Sequence, residues 1–98
     1  MLLARRGDRE SALRDALAAL AADRKPLTVY QVAGIYAQTT RQESDDFGVA
    51  KGLLAEAFRR DPSLLNLVSS DPDLEFVRGH ESFRQLLAAA RLVLTGVP

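Results

Sequence analysis

The chain has 98 residues, 47% of them hydrophobic and 27% charged, and thirteen basic side chains balance thirteen acidic ones. This length suits one domain with a small core, so we expect a single unit over residues 1–98. The balanced charge argues against nucleic acid and anionic membranes as partners, since both select basic surfaces. The chain has no cysteine and opens with an apolar run too short for a secretory signal, so we expect a cytoplasmic protein.

Helical periodicity begins near the start of the chain. The apolar residues that recur at helical spacing are Ala12, Leu13, Ala16, Leu17 and Leu20. They predict a helix over residues 8–22 with one apolar stripe facing the core. The residue before Pro26 disfavours helical backbone, which ends this segment, and Thr28 is the predicted N-cap of the next helix.

The second predicted helix, residues 29–39, is apolar on more than one side, which is typical of a helix lying between neighbours. Its mostly polar stripe consists of Thr28, Gln31, Ile35 and Gln38. Because side chains at this spacing share one face of a helix, we expect this stripe to be the exposed face.

A polar connection over residues 39–46 precedes the third predicted helix, which runs to about Arg60. Ser44 is its predicted cap, with Asp45 and Asp46 in the first turn, where acidic groups favour the helix dipole. The apolar residues of this helix, which recur with the helical period, are Phe47, Ala50, Leu53, Leu54, Ala57 and Phe58.

Two Asp-Pro dipeptides, at Asp61 and Asp71, predict two further helix starts. Aspartate accepts the free amides of a first turn, and a proline in that turn has no N–H to leave unpaired. We therefore predict short helices over residues 62–68 and 72–78 and a last helix over 81–94. The apolar side of the last helix is Phe83, Leu86, Leu87 and Ala90. No alternating stretch is long enough for a strand, so the predicted fold is all-α.

The spacing of aromatic and small residues resembles the tetratricopeptide repeat. The motif elements are Tyr30-x2-Ala33-Gly34-x2-Ala37 and, after a loop, Ala50-x3-Leu54-x2-Ala57-x4-Pro62. By this resemblance residues 28–60 form one complete repeat of two antiparallel helices, joined by a loop about four residues longer than is usual. The small residues Gly34, Ala37, Ala50 and Ala57 are then expected where the two helices cross closely.

The flanking segments extend the resemblance. Residues 8–22 resemble the second helix of a preceding repeat, with Gly7, Ala12, Ala16 and Ala19 at its small positions. Residues 71–87, within the predicted capping helices over 61–94, are similar to a tail that follows the last repeat in bacterial kinase-associated and regulatory proteins. The matching residues are Asp71, Pro72, Leu74, Arg78, Phe83, Leu86 and Leu87, while His80-Glu81 departs from the Asp-Pro expected there. The resemblance implies an α–α superhelix of about 1.5 repeats at the C-terminal end of a larger protein.

Side chains suited to catalysis or metal binding are few. A candidate calcium loop is the alternating acidic series Asp71, Asp73 and Glu75. Such a loop needs glycine where this chain has Phe76, and helix capping explains the same acidic residues. His80 is the single histidine, so neither a zinc pair nor a Ser-His-Asp set is available, and its expected place is the start of the last helix. We therefore predict no enzyme, catalytic residue, metal or cofactor. An enzyme would need a pocket of these acids, His80 and nearby arginines.

The predicted function is protein–protein interaction or scaffolding. By the resemblance, the stripe Thr28, Gln31, Ile35, Gln38 lines a concave groove that takes a protein or peptide ligand. The alternative for Ile35 is an isolated exposed apolar side chain. A second hypothesis is that the domain mainly forms homo-oligomers, such as a homodimer, because fewer than three repeats are seldom stable alone. The arginine pairs at residues 5–6 and 59–60 are either solvated helix ends or contacts for an acidic partner.

Overall fold

The computed structural model describes the backbone of residues 6–94 and the side chains of residues 9–92. The α-helices are α1 (Arg6–Ala22), α2 (Pro26–Thr39), α3 (Asp46–Arg60) and α4 (Glu81–Leu94). Two 3-10 helices connect α3 to α4: η1 (Pro62–Ser70) and η2 (Pro72–Leu74). Residues 6–94 contain no strand, and the predicted all-α class is confirmed. The side chains of Arg5 and Arg6, and the small position at Gly7, lie outside the described residues.

The first three helices alternate in direction. The hydroxyl of Thr39, the last residue of α2, donates to Asp46 at the start of α3 over 2.7 Å. At the other end of the pair, Tyr30 packs on Phe58 with ring centroids 6.3 Å apart. These two contacts make α2 and α3 antiparallel. Arg9, near the start of α1, reaches the same Asp46. Arg24, just after the end of α1, pairs with Glu56 near the end of α3. Helix α1 therefore runs in the direction of α3.

The core is centred on α2, which contacts α1, α3 and η2. Val29, Ala33 and Ala37 of α2 have no exposed surface, and Leu54 of α3 is equally buried. Burial on several sides was predicted from the apolar residues around this helix, and it is confirmed. On the far side of α3, the core continues through η1 and α4, where Phe83 is fully buried.

Of the small residues predicted at the crossing of α2 and α3, three are buried there and the fourth, Gly34, contacts another segment. Ala37, Ala50 and Ala57 are buried as predicted, with at most 1% of their surface exposed. Gly34 is also buried, but a side-chain carbon at this position would meet the Cβ of Asp73 at 3.2 Å. The glycine therefore admits the η2 segment rather than α3. In α1, Ala16 is buried, whereas Leu17 is 52% exposed, so the predicted stripe of this helix is narrower than expected.

Two predicted helix starts are wrong by a few residues. Helix α2 begins at Pro26 with Lys25 before its first turn, so Thr28 lies inside the helix and is not its cap. Proline suits the first turn because the N–H groups there have no intrahelical acceptor, so its lack of an N–H loses no hydrogen bond. Helix α3 follows Asp45, which makes no side-chain capping bond, and Ser44 lies one residue further out. The backbone carbonyl of Ser44, and not its side chain, accepts the N–H of Phe47.

Both aspartates of the Asp-Pro dipeptides are N-caps, as predicted. Asp61 accepts the backbone N–H of Ser63 at 3.2 Å, and Asp71 accepts that of Asp73 at 2.9 Å. The helices that they begin are 3-10 helices, with η1 longer than predicted and η2 shorter. In a 3-10 helix residues three apart stack on one side, which brings Leu65 and Val68 together in the core.

Candidate functional site

The four residues of the predicted binding stripe differ in exposure. Gln31 is exposed, whereas Thr28, Ile35 and Gln38 are half-buried. Ile35 packs against the core cluster, so it is not an isolated exposed side chain. Because α2 begins at Pro26, its first turn adds Leu27, one turn before Gln31 on the same face and 49% exposed. The helix start assumed from the sequence was too late to include this leucine.

The segment that includes η2 forms one wall beside this stripe. The hydroxyl of Tyr30 donates a hydrogen bond to the Oδ2 atom of Asp71 over 2.8 Å. Two turns further along α2, the side-chain amide of Gln38 donates to the Oδ1 atom of Asp73. Between them Gly34 permits the close approach of Asp73. The stripe of α2 therefore runs alongside a second element, the segment that includes η2.

A cavity of about 240 Å³ lies at the Gln38 end of the stripe. The residues around it are Gln38, Arg41, Gln42, Pro72, Asp73, Glu75 and Phe76. The guanidinium of Arg41 lies 4.8 Å from the centre of the Phe76 ring, a cation–π distance. The α2–α3 loop, predicted to be long, thus packs against the chain that follows η2.

Two ionisable groups of this wall have shifted pKa values. Partial burial and the nearby charge of Asp71 raise the pKa of Asp73 above its usual value, although the hydrogen bond from Gln38 opposes this. Burial, with the hydrogen bond to Asp71, raises the pKa of Tyr30 far above its usual value. Tyr30 therefore stays protonated and acts only as a hydrogen-bond donor to Asp71 at neutral pH.

Asp71, Asp73 and His80 do not converge on one site. The two carboxylates face α2, whereas the ring of His80 lies between Phe47 and Phe76, with centroids 5.0 and 5.5 Å away. The carbonyl of His80 accepts the N–H of Phe83, as expected for the residue that starts α4. Among the described residues no group of three or more Asp, Glu, His or Cys side chains could hold a metal ion.

A charged contact that no local sequence pattern indicates joins three helices. Arg9 of α1 donates two hydrogen bonds of 2.8 Å to Asp46 of α3, and Thr39 of α2 donates a third. Burial tends to raise the pKa of Asp46, but the bonds from Arg9 and Thr39 outweigh it and lower that pKa. The sequence pattern indicates only that Asp46 is an acidic group at a helix start. No local pattern relates it to a residue 37 positions away.

Within residues 6–94, none of the helices combines the length and the apolar character needed to cross a membrane. Comparison of the chain with protein-family models, curated proteins and solved structures gives no match. The candidate site therefore depends on geometry and on the sequence motifs alone.

Proposed function

We propose that the chain is a non-enzymatic protein-interaction module and that the stripe on α2 binds a protein or peptide ligand. The observation that carries this proposal is the incomplete cover of the central helix. Helix α2 packs against α1, α3 and η2, yet Leu27 and Gln31 remain exposed on one face and Ile35 lies half-exposed beside them. A helix face that presents apolar and amide groups side by side suits a peptide or helix ligand.

The chemistry of the stripe indicates what such a ligand needs. Leu27 offers an apolar contact, and the side-chain amide of Gln31 can both donate to and accept from a peptide backbone. The stripe has no basic residue, so recognition of a terminal carboxylate is not part of the proposal. Affinity would come from a few buried apolar contacts, as at most protein interfaces.

The motif spacing extends the proposal to the family level. The tetratricopeptide-like positions Tyr30, Leu54 and Ala57 are buried, which supports a repeat module. The alternating directions of α1, α2 and α3 are compatible with it. From this resemblance we propose that the chain is the C-terminal part of a larger bacterial protein of kinase-like or regulatory type. The lack of cysteine suits the cytoplasmic role that we propose with it.

Titration of the protein against peptide pools, followed by fluorescence anisotropy with the selected peptides, tests the binding stripe. We expect Gln31→Ala and Leu27→Glu to weaken binding about tenfold, because both remove or oppose contacts at the exposed part of the stripe. Val49→Glu is the matched control, since Val49 is a 44% exposed aliphatic residue on α3. Ile35→Glu is a further variant, with thermal unfolding to check that it folds. Binding that is indifferent to Gln31→Ala and Leu27→Glu contradicts the proposal.

Self-association is the second candidate function, and the exposed leucines favour it. Leu17 of α1 is 52% exposed and Leu27 of α2 is 49% exposed, so both side chains lack full cover in the single chain. A homodimer would cover them. Sedimentation equilibrium of the parent and of Leu17→Glu decides this: dimers that Leu17→Glu dissociates support self-association, and a parent that stays monomeric at high concentration excludes it.

A further inference from the structure

A second opening, far from the α2 stripe in sequence, lies between α3 and α4. It has a volume of about 290 Å³, and almost all of its surface is apolar. Phe58 and Leu86 form its inner part, and Ala55, Ala89 and Ala90 leave it open. This volume is just below the roughly 300 Å³ at which pockets for small-molecule ligands begin. The opening suits one or two apolar side chains better than a cofactor.

The lining residues have the spacing of two helix faces. Those of α3 lie at positions 55, 58 and 59, and those of α4 lie at 86, 89 and 90, so each helix contributes one turn. Alanines at three of these six positions allow another backbone to approach closely, as Ala50 and Ala57 do inside the core. A groove between two helices with small residues on both sides is a surface on which a third helix packs.

Arg59 is the one charged residue in the lining of this groove. Its guanidinium makes no hydrogen bond or ion pair with any described residue. The adjacent Arg60 differs, because it donates to the carbonyl of Arg24 at 2.7 Å and to Glu56 at 3.1 Å. An unpaired cation beside an apolar groove selects a partner that brings a carboxylate to the same place.

We infer that the α3–α4 groove binds an amphipathic helix of another protein, with an Asp or Glu side chain of that helix paired to Arg59. Apolar side chains of the partner would enter the space left by the alanines, and the acidic side chain would lie at the rim. This inference is independent of the proposed stripe, because none of the groove residues belongs to α2.

Selection from a phage-displayed library of randomised helical peptides, on the immobilised full chain, tests the inference. The library is selected in parallel on the parent and on Ala89→Glu, which places an acidic group in the groove. Ala89 is exposed, so the substitution should leave the fold intact, and thermal unfolding checks this. Ala89→Trp is a second variant, which fills the groove without adding charge. Arg59→Gln is paired with Arg60→Gln, the same change on the same helix outside the groove.

We expect peptides with an apolar stripe and an adjacent Asp or Glu to be enriched on the parent and lost on both Ala89 variants. Arg59→Gln should weaken the selected peptide about fivefold and remove its preference over a version with Gln in place of the acid. Arg60→Gln and Gln31→Ala should bind as the parent does, so a failure of the α2 stripe would not affect this result. Equal enrichment on parent and Ala89→Glu, or unchanged binding by Arg59→Gln, overturns the inference. So does a parent dimer that Ala89→Glu dissociates, because the occupant is then a second copy.

Discussion

The two Asp-Pro dipeptides begin their 3-10 helices in the same way, but they hold different parts of the molecule together. The carboxylate of Asp61 accepts from the N–H and the hydroxyl of Ser63, and this carboxylate makes no further hydrogen bond with the described residues. Asp71 accepts from the N–H of Asp73 and also from the hydroxyl of Tyr30, 41 positions away. Asp61 is therefore a local cap, whereas Asp71 also attaches the η2 segment to α2.

The same contrast separates the helical core from the η2 segment. Helix α2 meets α3 through buried alanines and Leu54, whereas it meets η2 through polar pairs as well as through buried Leu74. Apolar packing is non-directional and depends on area, while a polar pair needs both partners at hydrogen-bond distance. Substitutions in the core should therefore unfold the whole domain, and substitutions at η2 should mainly loosen one segment.

The largest effect is expected for Ala50→Arg. Ala50 is 1% exposed where α3 meets α2, and a buried, unpaired guanidinium there should lower the free energy of unfolding by about 4 kcal/mol. Urea unfolding followed by circular dichroism measures the change. Gly52→Arg is the matched control, because nothing lies within 4 Å of a side-chain carbon at that position of the same helix. If both variants unfold like the parent, α2 and α3 do not pack as described.

Asp46→Asn should have the next largest effect. It weakens a polar contact inside the helical core. The change removes the charge that accepts from Arg9 and Thr39, and loss of hydrogen bonds to a buried charged group costs about 2 kcal/mol. Urea unfolding near pH 7 measures it, with the exposed Asp45→Asn as control. Because the pKa of Asp46 is lowered, its charged form adds to the stability of the fold. This stability is present above the unfolded-state pKa of 3.8 and is lost as the pH falls through the folded-state pKa. Equal stability of both variants would contradict a stabilising role for this contact.

Asp71→Ala and Asp61→Ala compare the two caps directly. Loss of either cap should cost about 1 kcal/mol, and Asp71→Ala should cost about 1 kcal/mol more, because Tyr30 then loses its acceptor. Hydrogen exchange of the backbone amides following Asp71 should rise in Asp71→Ala and stay unchanged in Asp61→Ala. Tyr30→Phe completes a double-mutant cycle with Asp71→Ala. A coupling energy near zero between these two changes would show that the tyrosine–aspartate bond does not hold the segment.

The smallest effect, and the one of opposite sign, is expected for Asp73→Asn. The raised pKa of Asp73 means that folding disfavours its charged form. The protonated carboxyl therefore adds to the stability of the fold at low pH, and this stability is lost as the pH rises through the folded-state pKa of Asp73. Removing the charge should therefore stabilise the protein by less than about 1 kcal/mol near pH 7 and have no effect near pH 3. Urea midpoints at the two pH values measure this. Destabilisation near pH 7 would mean that the bond from Gln38 outweighs burial and the charge of Asp71.

The sequence was sufficient for features that depend on local chemistry. Helical periodicity predicted α1, α3 and α4 to within a few residues, and the Asp-Pro pairs identified both caps. The sequence-based prediction of helix starts failed where neighbouring signals compete. Thr28 and Ser44 are residue types that favour the N-cap, but α2 starts earlier, at Pro26, and α3 starts after the α2–α3 loop. Of the candidate stripe, the position on one face of α2 was predictable. The burial of Ile35 and the bond from Gln38 were not, because both depend on segments distant in the chain.

By itself the sequence determined an all-α chain, its apolar helix faces and the start of each 3-10 helix, because side-chain spacing and capping act over three or four residues. The tertiary structure alone decided the bonds between Arg9 and Asp46 and between Tyr30 and Asp71, the contact of Gly34 with η2 and the groove beside Arg59. Each of these joins residues tens of positions apart. Their proximity follows only from how the helices pack, which no local pattern encodes.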